Sequence, residues 1–116
     1  MDTPTEANAR FADFALEVLD TRHLWILRND EGYAHWSSEN GVCFPIWSQQ
    51  QMAERAALRS LPGYQPEQLV LDVFRDSVLP KLRDKKIWLG VNLTDEMCGI
   101  EIPCEQFEKE IASRVV

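Results

Sequence analysis

The apolar residues near the N-terminus recur at intervals of three and four, which is the spacing of one face of an α-helix. They include Phe11, Phe14, Ala15 and Val18. Charged residues occupy many of the intervening positions, so the pattern predicts an amphipathic helix over about Pro4 to Asp20. The apolar face of this helix should pack on the rest of the protein.

Two turn motifs divide the following segment into three predicted strands. Asn29–Gly32 suits a turn that ends with a glycine in the left-handed region, and Asn40–Gly41 is the dipeptide favoured by two-residue type I′ turns. The apolar and aromatic residues around these turns are typical of strands. The predicted strands, antiparallel in succession, run from about Leu24 to Arg28, Tyr33 to Ser37 and Val42 to Trp47.

The length of the first turn decides which face each tryptophan occupies, because side chains alternate along a strand. We expect a three-residue loop that pairs Asn29 with Tyr33, and a two-residue loop that pairs Glu39 with Val42. One face is then formed by Leu24, Ile26, Ala34, Trp36, Cys43 and Trp47, and the other by Trp25, Leu27, Tyr33, His35, Ser37, Phe44 and Ile46. A first loop of two or four residues would instead place Trp25 beside Trp36.

This division of the faces leads to different roles for the tryptophans. Trp36 and Trp47 are predicted to lie in the core, because large aromatic side chains dominate cores and these two have small neighbours. Trp25, Tyr33 and His35 carry polar tips that suit a half-exposed groove or a subunit contact. We therefore take the last three as candidate binding residues.

Helices are also predicted in the second half of the chain. Ser48 and Gln51 form a capping-box pattern at the start of a helix over Gln49 to Ser60. The last helix starts at Pro103, and its apolar stripe consists of Cys104, Phe107, Ile111 and Val115.

Between these two helices lies a third, predicted to cover Asp72 to Arg83. Pro80 removes one helical hydrogen bond, so we expect a kink or a break near Ser77. The apolar run Leu69–Leu71 fits either the end of a short strand or the start of this helix.

Two more strands, at Ile87 to Asn92 and Cys98 to Ile102, complete the order α-β-β-β-α-α-β-β-α. This order predicts a single α+β domain over residues 1–116, with a largely antiparallel sheet of about five strands and four helices. The aromatic residues expected to be largely buried are Phe11, Phe14, Trp36, Trp47, Phe74 and Phe107.

Composition and charge narrow the function classes. Of the 116 residues, 45% are hydrophobic and 27% are charged, as in an ordinary globular domain. The net charge of −7 opposes binding to nucleic acid, which needs clustered Lys and Arg. The N-terminal segment lacks a signal-peptide pattern, and no apolar run reaches the ~18 residues of a membrane span. We therefore expect a cytoplasmic protein without a membrane partner.

The potentially reactive side chains form no catalytic or metal-binding motif. Cys43, Cys98 and Cys104 are odd in number and include no Cys-x-x-Cys pair, so we expect reduced, unpaired thiols. Cys43 alternates onto the face opposite His35, and the cysteine spacing fits no zinc pattern. The sequence assigns no catalytic residue, metal ligand or cofactor, and it favours a noncatalytic protein over an enzyme.

Acidic side chains cluster in three predicted loops. They are Asp30 and Glu31 in the first, Glu39 in the second, and Asp95 and Glu96 in the third. One interpretation is that they provide solubility and form turns. The other is that they form an anionic rim that attracts a basic protein by electrostatic steering.

Several segments of the chain resemble a known family. They are "LWILRNDEGYA", "FPIWSQQQMAE" and "LDVFRDSVLPKL", and the matching positions are Trp25, Gly32, Pro45, Trp47, Phe74, Leu79, Pro80 and Gly99. Over nearly its whole length the chain is similar to the bacterial domain-of-unknown-function family 2750. The resemblance implies a bacterial cytosolic protein and brings no catalytic residue with it.

Three hypotheses on function follow. The first is a noncatalytic interaction module that binds a protein partner, or a second copy in a homodimer, through Trp25, Tyr33 and His35 or through the acidic loops. The second is an immunity-like or antitoxin-like protein whose acidic loops bind a basic toxin. The third is a small hydrolase or thiol enzyme, which a deep pocket holding His35 or a cysteine with a polar partner would favour.

Overall fold

The computed structural model describes residues 4–114, with the side chains of residues 9–114, and this part of the chain forms four helices and seven strands. The helices are α1 (Pro4–Thr21), α2 (Gln50–Ser60), α3 (residues 71–84) and α4 (Cys104–Arg114). The strands are β1 (His23–Asn29), β2 (Gly32–Tyr33), β3 (Trp36–Ser38), β4 (Gly41–Ile46), β5 (Gln65–Val70), β6 (Trp88–Val91) and β7 (Ile100–Ile102). The predicted α+β class and the four helices are confirmed. Val115, predicted to continue the stripe of the last helix, lies outside the described residues.

The strands form two sheets, so the prediction of a single five-stranded sheet is wrong. The first sheet has the order β2-β1-β5, and the second has the order β3-β4-β6-β7. Neighbouring strands are antiparallel, except that β4 and β6 run parallel. The sheets meet where Trp25 and Trp47 exchange two backbone hydrogen bonds, with N···O distances of 2.7 and 2.9 Å.

The second sheet arises because the predicted strand Tyr33 to Ser37 is broken. β2 ends at Tyr33 and pairs with β1, whereas β3 begins at Trp36 and pairs with β4. Ala34 and His35 connect the two pieces outside either strand. The chain therefore changes sheets within a segment that the residue pattern predicted as one strand.

The first turn has a two-residue loop, so the predicted three-residue loop is wrong. Asn29 pairs with Gly32, and Asp30 and Glu31 form the loop. The Oδ1 atom of Asn29 accepts hydrogen bonds from the backbone N–H groups of Glu31 and Gly32, at 2.8 and 3.1 Å. Gly32 has a φ of +137°. This Asn-centred turn closes the hairpin one residue earlier than predicted.

The second turn also pairs differently from the prediction. Ser38 pairs with Gly41, so the loop consists of Glu39 and Asn40, and the predicted pairing of Glu39 with Val42 is wrong. The Ser38 hydroxyl accepts a hydrogen bond from the backbone N–H of Asn40 at 3.2 Å. Both residues of the closing pair lie one position earlier than predicted, so the partner of each residue changes by two positions. Side chains alternate with a period of two, and the residues that share a face therefore stay the same.

The helix α2 begins without the predicted capping box. Gln49 is its N-cap, and it forms no side-chain capping bond. The Ser48 hydroxyl instead donates to Glu17 Oε2 at 3.0 Å, and the Ser48 backbone N–H donates to Asn92 Oδ1 at 2.8 Å. Ser48 thus joins α1 to the end of β6, a tertiary role that competes with local capping.

The irregularity predicted near Ser77 is a wide helical turn within α3. This helix consists of Leu71–Val73, a π-helical turn over Phe74–Val78, and Leu79–Asp84. The N–H of Leu79 bonds to the carbonyl of Phe74, five residues earlier. The widened turn accommodates Pro80, which has no N–H to donate.

Two apolar cores lie on opposite sides of the sheets. The first core is covered by α1, α3 and α4, and its largest members include Phe11, Phe14, Leu24, Ile26, Phe44, Ile46, Phe74, Leu89 and Phe107. The second core is covered by α2 and contains Leu27, Ala34, Cys43, Trp47, Ala53, Ala56, Ala57, Leu93 and Met97. Five of the six aromatic residues predicted to be largely buried are so, while Trp36 is only partly buried. Within residues 4–114, no helix combines the length and apolarity needed to cross a bilayer.

Candidate binding surface

The predicted grouping of Trp25 with Tyr33 and His35 is wrong. Trp25 and Trp36 are both partly buried against the second core, which contains Trp47. The two-residue first loop explains this arrangement, because a loop one residue shorter than predicted places Trp25 on the same side as Trp36 and not on that of Tyr33. Trp25 therefore lies on the side of the first sheet that α2 covers.

Tyr33 and His35 lie instead on the side of the first core. Their rings flank Phe44 edge-on, each with its centroid 5.9 Å from that of Phe44. The Arg28 guanidinium stacks 5.5 Å from the Tyr33 centroid. His35 is exposed, whereas Tyr33 is half-buried. The three aromatic candidates thus form no common surface.

Asp95 and Glu96 are compensated by cations of α2. Arg55 lies 3.9 Å from Asp95 and Arg59 lies 3.3 Å from Glu96. The Ser60 hydroxyl donates to the backbone carbonyl of Asp95 at 2.6 Å. These contacts attach the loop after β6 to α2, which makes the two carboxylates less available to an external cation than the sequence suggested.

Asp30 and Glu31 differ from this pair because no cation of residues 4–114 forms an ion pair with them. Among residues 4–114, the side chains of Asp30, Glu31 and Glu39 form no ion pair. Asp30 also borders a cleft, whereas Glu39 lines none of the cavities described below. The first loop is therefore the acidic loop best placed to meet a basic group.

The cleft beside Asp30 is a shallow polar depression of about 630 Å³. Its lining consists of Arg28, Asn29, Asp30, Gly63, Gln65, Pro66 and Glu67. The Arg28 guanidinium pairs with the Glu67 carboxylate at 3.2 Å, so the cleft holds two carboxylates and one cation. We call this depression the acidic cleft.

An apolar groove of about 340 Å³ adjoins the acidic cleft. It is lined by Glu54, Ala57, Leu58, Pro62, Gly63, Tyr64 and Pro66. Gly63 and Pro66 line both depressions, so the two are adjacent. Leu58 is 84% exposed, the largest exposure among the large hydrophobic residues of the described chain. We call the groove and the acidic cleft together the α2–β5 surface.

The sequence interpretation missed Leu58, Tyr64 and Pro66. A signal for Leu58 exists in the pattern of α2, whose buried positions are Ala53, Ala56 and Ala57. A leucine directly after this stripe falls outside it and must face solvent or a partner. Pro66 carried no such signal, because the sequence indicated only the end of a short strand at Leu69–Leu71, and only as one of two alternatives.

Another groove, of about 280 Å³, lies between α1 and the loop after β6. Its lining includes Arg10, Asp13, Glu17, Met52, Asn92, Thr94 and Cys98. The Cys98 thiol is exposed and has one weak contact, to the Glu96 carbonyl at 3.8 Å. Among the described residues, no histidine lines this groove. It therefore offers no cysteine–histidine pair of the kind that activates a thiol nucleophile.

The other two thiols are buried. Burial raises the pKa of Cys43 to about 12, with a further contribution from the charge of Glu101. Burial raises the pKa of Cys104 to about 11, and the charges of Glu105 and Glu108 act in the same direction. All three cysteines are free, as predicted. Among residues 4–114, no three His, Cys, Asp or Glu side chains are arranged to hold a metal ion.

Alkylation of the folded protein should modify Cys98 and spare the two buried thiols. The thiolate is the reactive species, and Cys43 and Cys104 combine raised pKa values with almost complete burial. Peptide mass spectrometry after iodoacetamide treatment, before and after unfolding, would measure the labelling. Labelling of Cys43 as fast as that of Cys98 in the folded state would contradict the structure.

The same pKa shifts predict a loss of stability in alkali. Above the ordinary thiol value of 9.0, the unfolded chain releases thiol protons that the folded chain retains. The free energy of unfolding should therefore fall as pH rises from about 9 toward 11, and the Cys43→Ala variant should show a shallower fall over this range. Denaturant titrations at several pH values would measure both slopes.

Residues 11–111 of this chain match the pattern of a protein family that is described as "Protein of unknown function (DUF2750)". The match spans both sheets and most of α1 and α4. No curated protein matches the sequence.

Proposed function

We propose that this chain, which belongs to the DUF2750 family of proteins of unknown function, is a noncatalytic interaction module. It binds a polypeptide that carries both apolar and basic residues, and the binding site is the α2–β5 surface. The observation that carries this proposal is that the apolar groove and the acidic cleft are adjacent and share Gly63 and Pro66 in their lining.

The apolar groove supplies an anchoring site. Leu58 is almost fully exposed beside Tyr64, and burying a leucine side chain contributes roughly 1.5 to 3 kcal/mol. Contiguous apolar patches commonly mark interaction sites, and Leu58 shares its groove with Pro62 and Pro66. A partner side chain inserted between Leu58 and Tyr64 would gain this contribution.

The acidic cleft supplies the charge preference. Asp30 and Glu31 lack a cation partner within the described chain, and the whole chain carries a net charge of −7. This charge would accelerate association with a basic partner and oppose an acidic one. A lysine or arginine that follows the apolar anchor would lie beside Asp30.

This proposal includes the immunity-like or antitoxin-like hypothesis as the special case in which the polypeptide belongs to a basic toxin. It also places the protein in the cytoplasm, where a reducing environment keeps three free cysteines unpaired. The thiol-enzyme hypothesis receives less support, because two thiols are buried with raised pKa values.

Leu58→Gln and Asp30→Asn should each weaken binding of a selected peptide by about tenfold. Peptides would be selected from a random phage-displayed library on the immobilised protein, then synthesised and titrated by calorimetry. We expect the selected sequences to combine apolar and basic residues. Because both side chains are on the surface, the variants should keep the folding stability of the original protein.

Leu16→Gln and Glu39→Gln are matched controls for these two variants. Leu16 is 53% exposed on α1, and Glu39 is an acidic turn residue without an ion pair in residues 4–114. Neither residue lines the α2–β5 surface. Selected peptides without basic residues, or equal losses of affinity in the variants and their controls, would refute the proposed function.

A further inference from the structure

We propose that the partner binds as an extended strand added to the free edge of β5, with apolar and basic side chains in alternation. This inference rests on the proposed function and assigns the partner's conformation and residue pattern. It follows from the hydrogen-bond pattern of β1 and β5 and from the position of the two depressions relative to β5.

The backbone of β5 has unused hydrogen-bonding groups on its outer edge. β5 is the last strand of its sheet, and among the strands of residues 4–114 it pairs only with β1. Trp25, which lies opposite Gln68, gives its backbone N–H and C=O to Trp47 on the other side of β1. The Trp25–Gln68 pair is therefore not hydrogen-bonded, so Gln68 directs its N–H and C=O away from β1.

Pro66 shares this outward direction. It lies opposite Leu27, whose carbonyl accepts the N–H of Ala34 on the far side of β1. The outward groups at Pro66 and Gln68 have no hydrogen-bond partner among residues 4–114. Pro66 offers only its carbonyl, so the edge presents two acceptors and one donor at these positions.

The two depressions flank opposite faces of this edge. Glu67 lies opposite Ile26 of the first core, so its side chain points to the side of the acidic cleft. Pro66 lies opposite Leu27 of the second core, so its ring points toward α2 and the apolar groove. A strand added to β5 would place alternate side chains on these two sides. Apolar side chains suit the groove, and basic side chains suit the cleft.

The charge of the edge favours a different polypeptide over a second copy of this chain. On the cleft side β5 carries Gln65 and Glu67. A second β5 would therefore bring a carboxylate, rather than a cation, toward Asp30 and Glu67. Strand addition of a basic segment instead satisfies the backbone groups and the charge together.

Two synthetic peptides of equal composition test the predicted alternation. They are acetyl-Val-Lys-Val-Lys-Val-Lys-amide and its block isomer acetyl-Val-Val-Val-Lys-Lys-Lys-amide. We expect the alternating peptide to bind about tenfold more tightly, because only its sequence places valines toward α2 and lysines toward the cleft. Calorimetry would give the affinities, and amide exchange measured by NMR should slow at Gln68 when the alternating peptide is bound.

N-methylated versions of the alternating peptide test the backbone pairing. In an antiparallel added strand, the residues whose side chains face α2 are those that direct their N–H groups to β5. Methylation of the backbone nitrogens of the valines should therefore abolish binding, whereas methylation of the backbone nitrogens of the lysines should preserve it. Equal affinities for the two methylated peptides, or the reverse order, would overturn antiparallel strand addition.

The outcomes separate this inference from the proposed function. If library-selected peptides depend on Leu58 and Asp30 but the alternating peptide fails to bind or to protect Gln68, strand addition is wrong and the proposed function stands. If the selected peptides do not depend on these residues, both are wrong. Sedimentation of the protein alone should give a monomer, and a dimer that protects Gln68 from exchange would assign the edge to a second copy and refute the inference.

Discussion

Replacing Trp47 with alanine should lower the free energy of unfolding by about 3 to 5 kcal/mol. The Trp47 side chain is fully buried in the second core, and its Nε1 atom donates a hydrogen bond to the Leu93 carbonyl at 2.9 Å. Truncation would leave a large cavity beneath α2 and remove the partner of this carbonyl. Urea denaturation followed by circular dichroism would measure the loss.

One further variant separates the ring of Trp47 from its hydrogen bond, and another compares Trp47 with Trp36. Trp47→Phe retains most of the ring but not the donor, so its loss should be smaller, about 1 to 3 kcal/mol. Trp36→Ala should also cost less than Trp47→Ala, because Trp36 is only partly buried. A denaturation midpoint that Trp47→Ala leaves unchanged would show that Trp47 does not anchor the second core.

The helices were predictable because their information is local. In α1 the residues Phe11, Phe14 and Val18 recur at helical spacing, and all three are buried in the first core. Their spacing alone indicates which side of the helix faces inward. The position of the wide turn in α3 was also accessible, because Pro80 perturbs the helix that contains it.

The strand pairing was harder to predict from the sequence, because a difference of one residue in a loop changes the face on which every following side chain of the strand lies. One residue in the first loop decided whether Trp25 shares a face with Trp36 or with Tyr33, and the side-chain contacts of Asn29 selected the shorter loop. Only the end of β5 was considered from the sequence, as one of two alternatives for Leu69–Leu71, because the residues before it mix polar side chains with a proline. Such a sequence is compatible with an edge strand, but only the long-range pairing with β1 identifies it.

The candidate site was predictable only in part, for a related reason. Asp30 and Glu31 belong to the predicted acidic loops, and the structure places Asp30 on a cleft. Asp95 and Glu96 belong to the same group in the sequence, yet Arg55 and Arg59 of α2 neutralise them. These ion pairs join distant parts of the chain, so no local pattern distinguishes the two acidic loops.

Gly90→Ala should lower the free energy of unfolding by about 1 to 3 kcal/mol, because the added methyl group has no room. A Cβ atom at Gly90 would lie 2.6 Å from Cys43 Sγ and 2.7 Å from Leu93 Cδ1. β6 lies between β4 and β7, so its backbone is held on both sides and cannot move away from these contacts. Denaturant unfolding of the variant would measure this loss.

If the loss in Gly90→Ala comes from the close contact with Cys43, a smaller side chain at position 43 should reduce it. Cys43→Ala removes the nearer of the two contacts, so the double variant should be more stable than the sum of the two single changes predicts. Gly32→Ala serves as the control, because its φ of +137° would be strained although nothing lies within 4 Å of the added Cβ. Cys43→Ala should not compensate for that change. Strictly additive losses for Cys43→Ala and Gly90→Ala would contradict the close contact between β4 and β6.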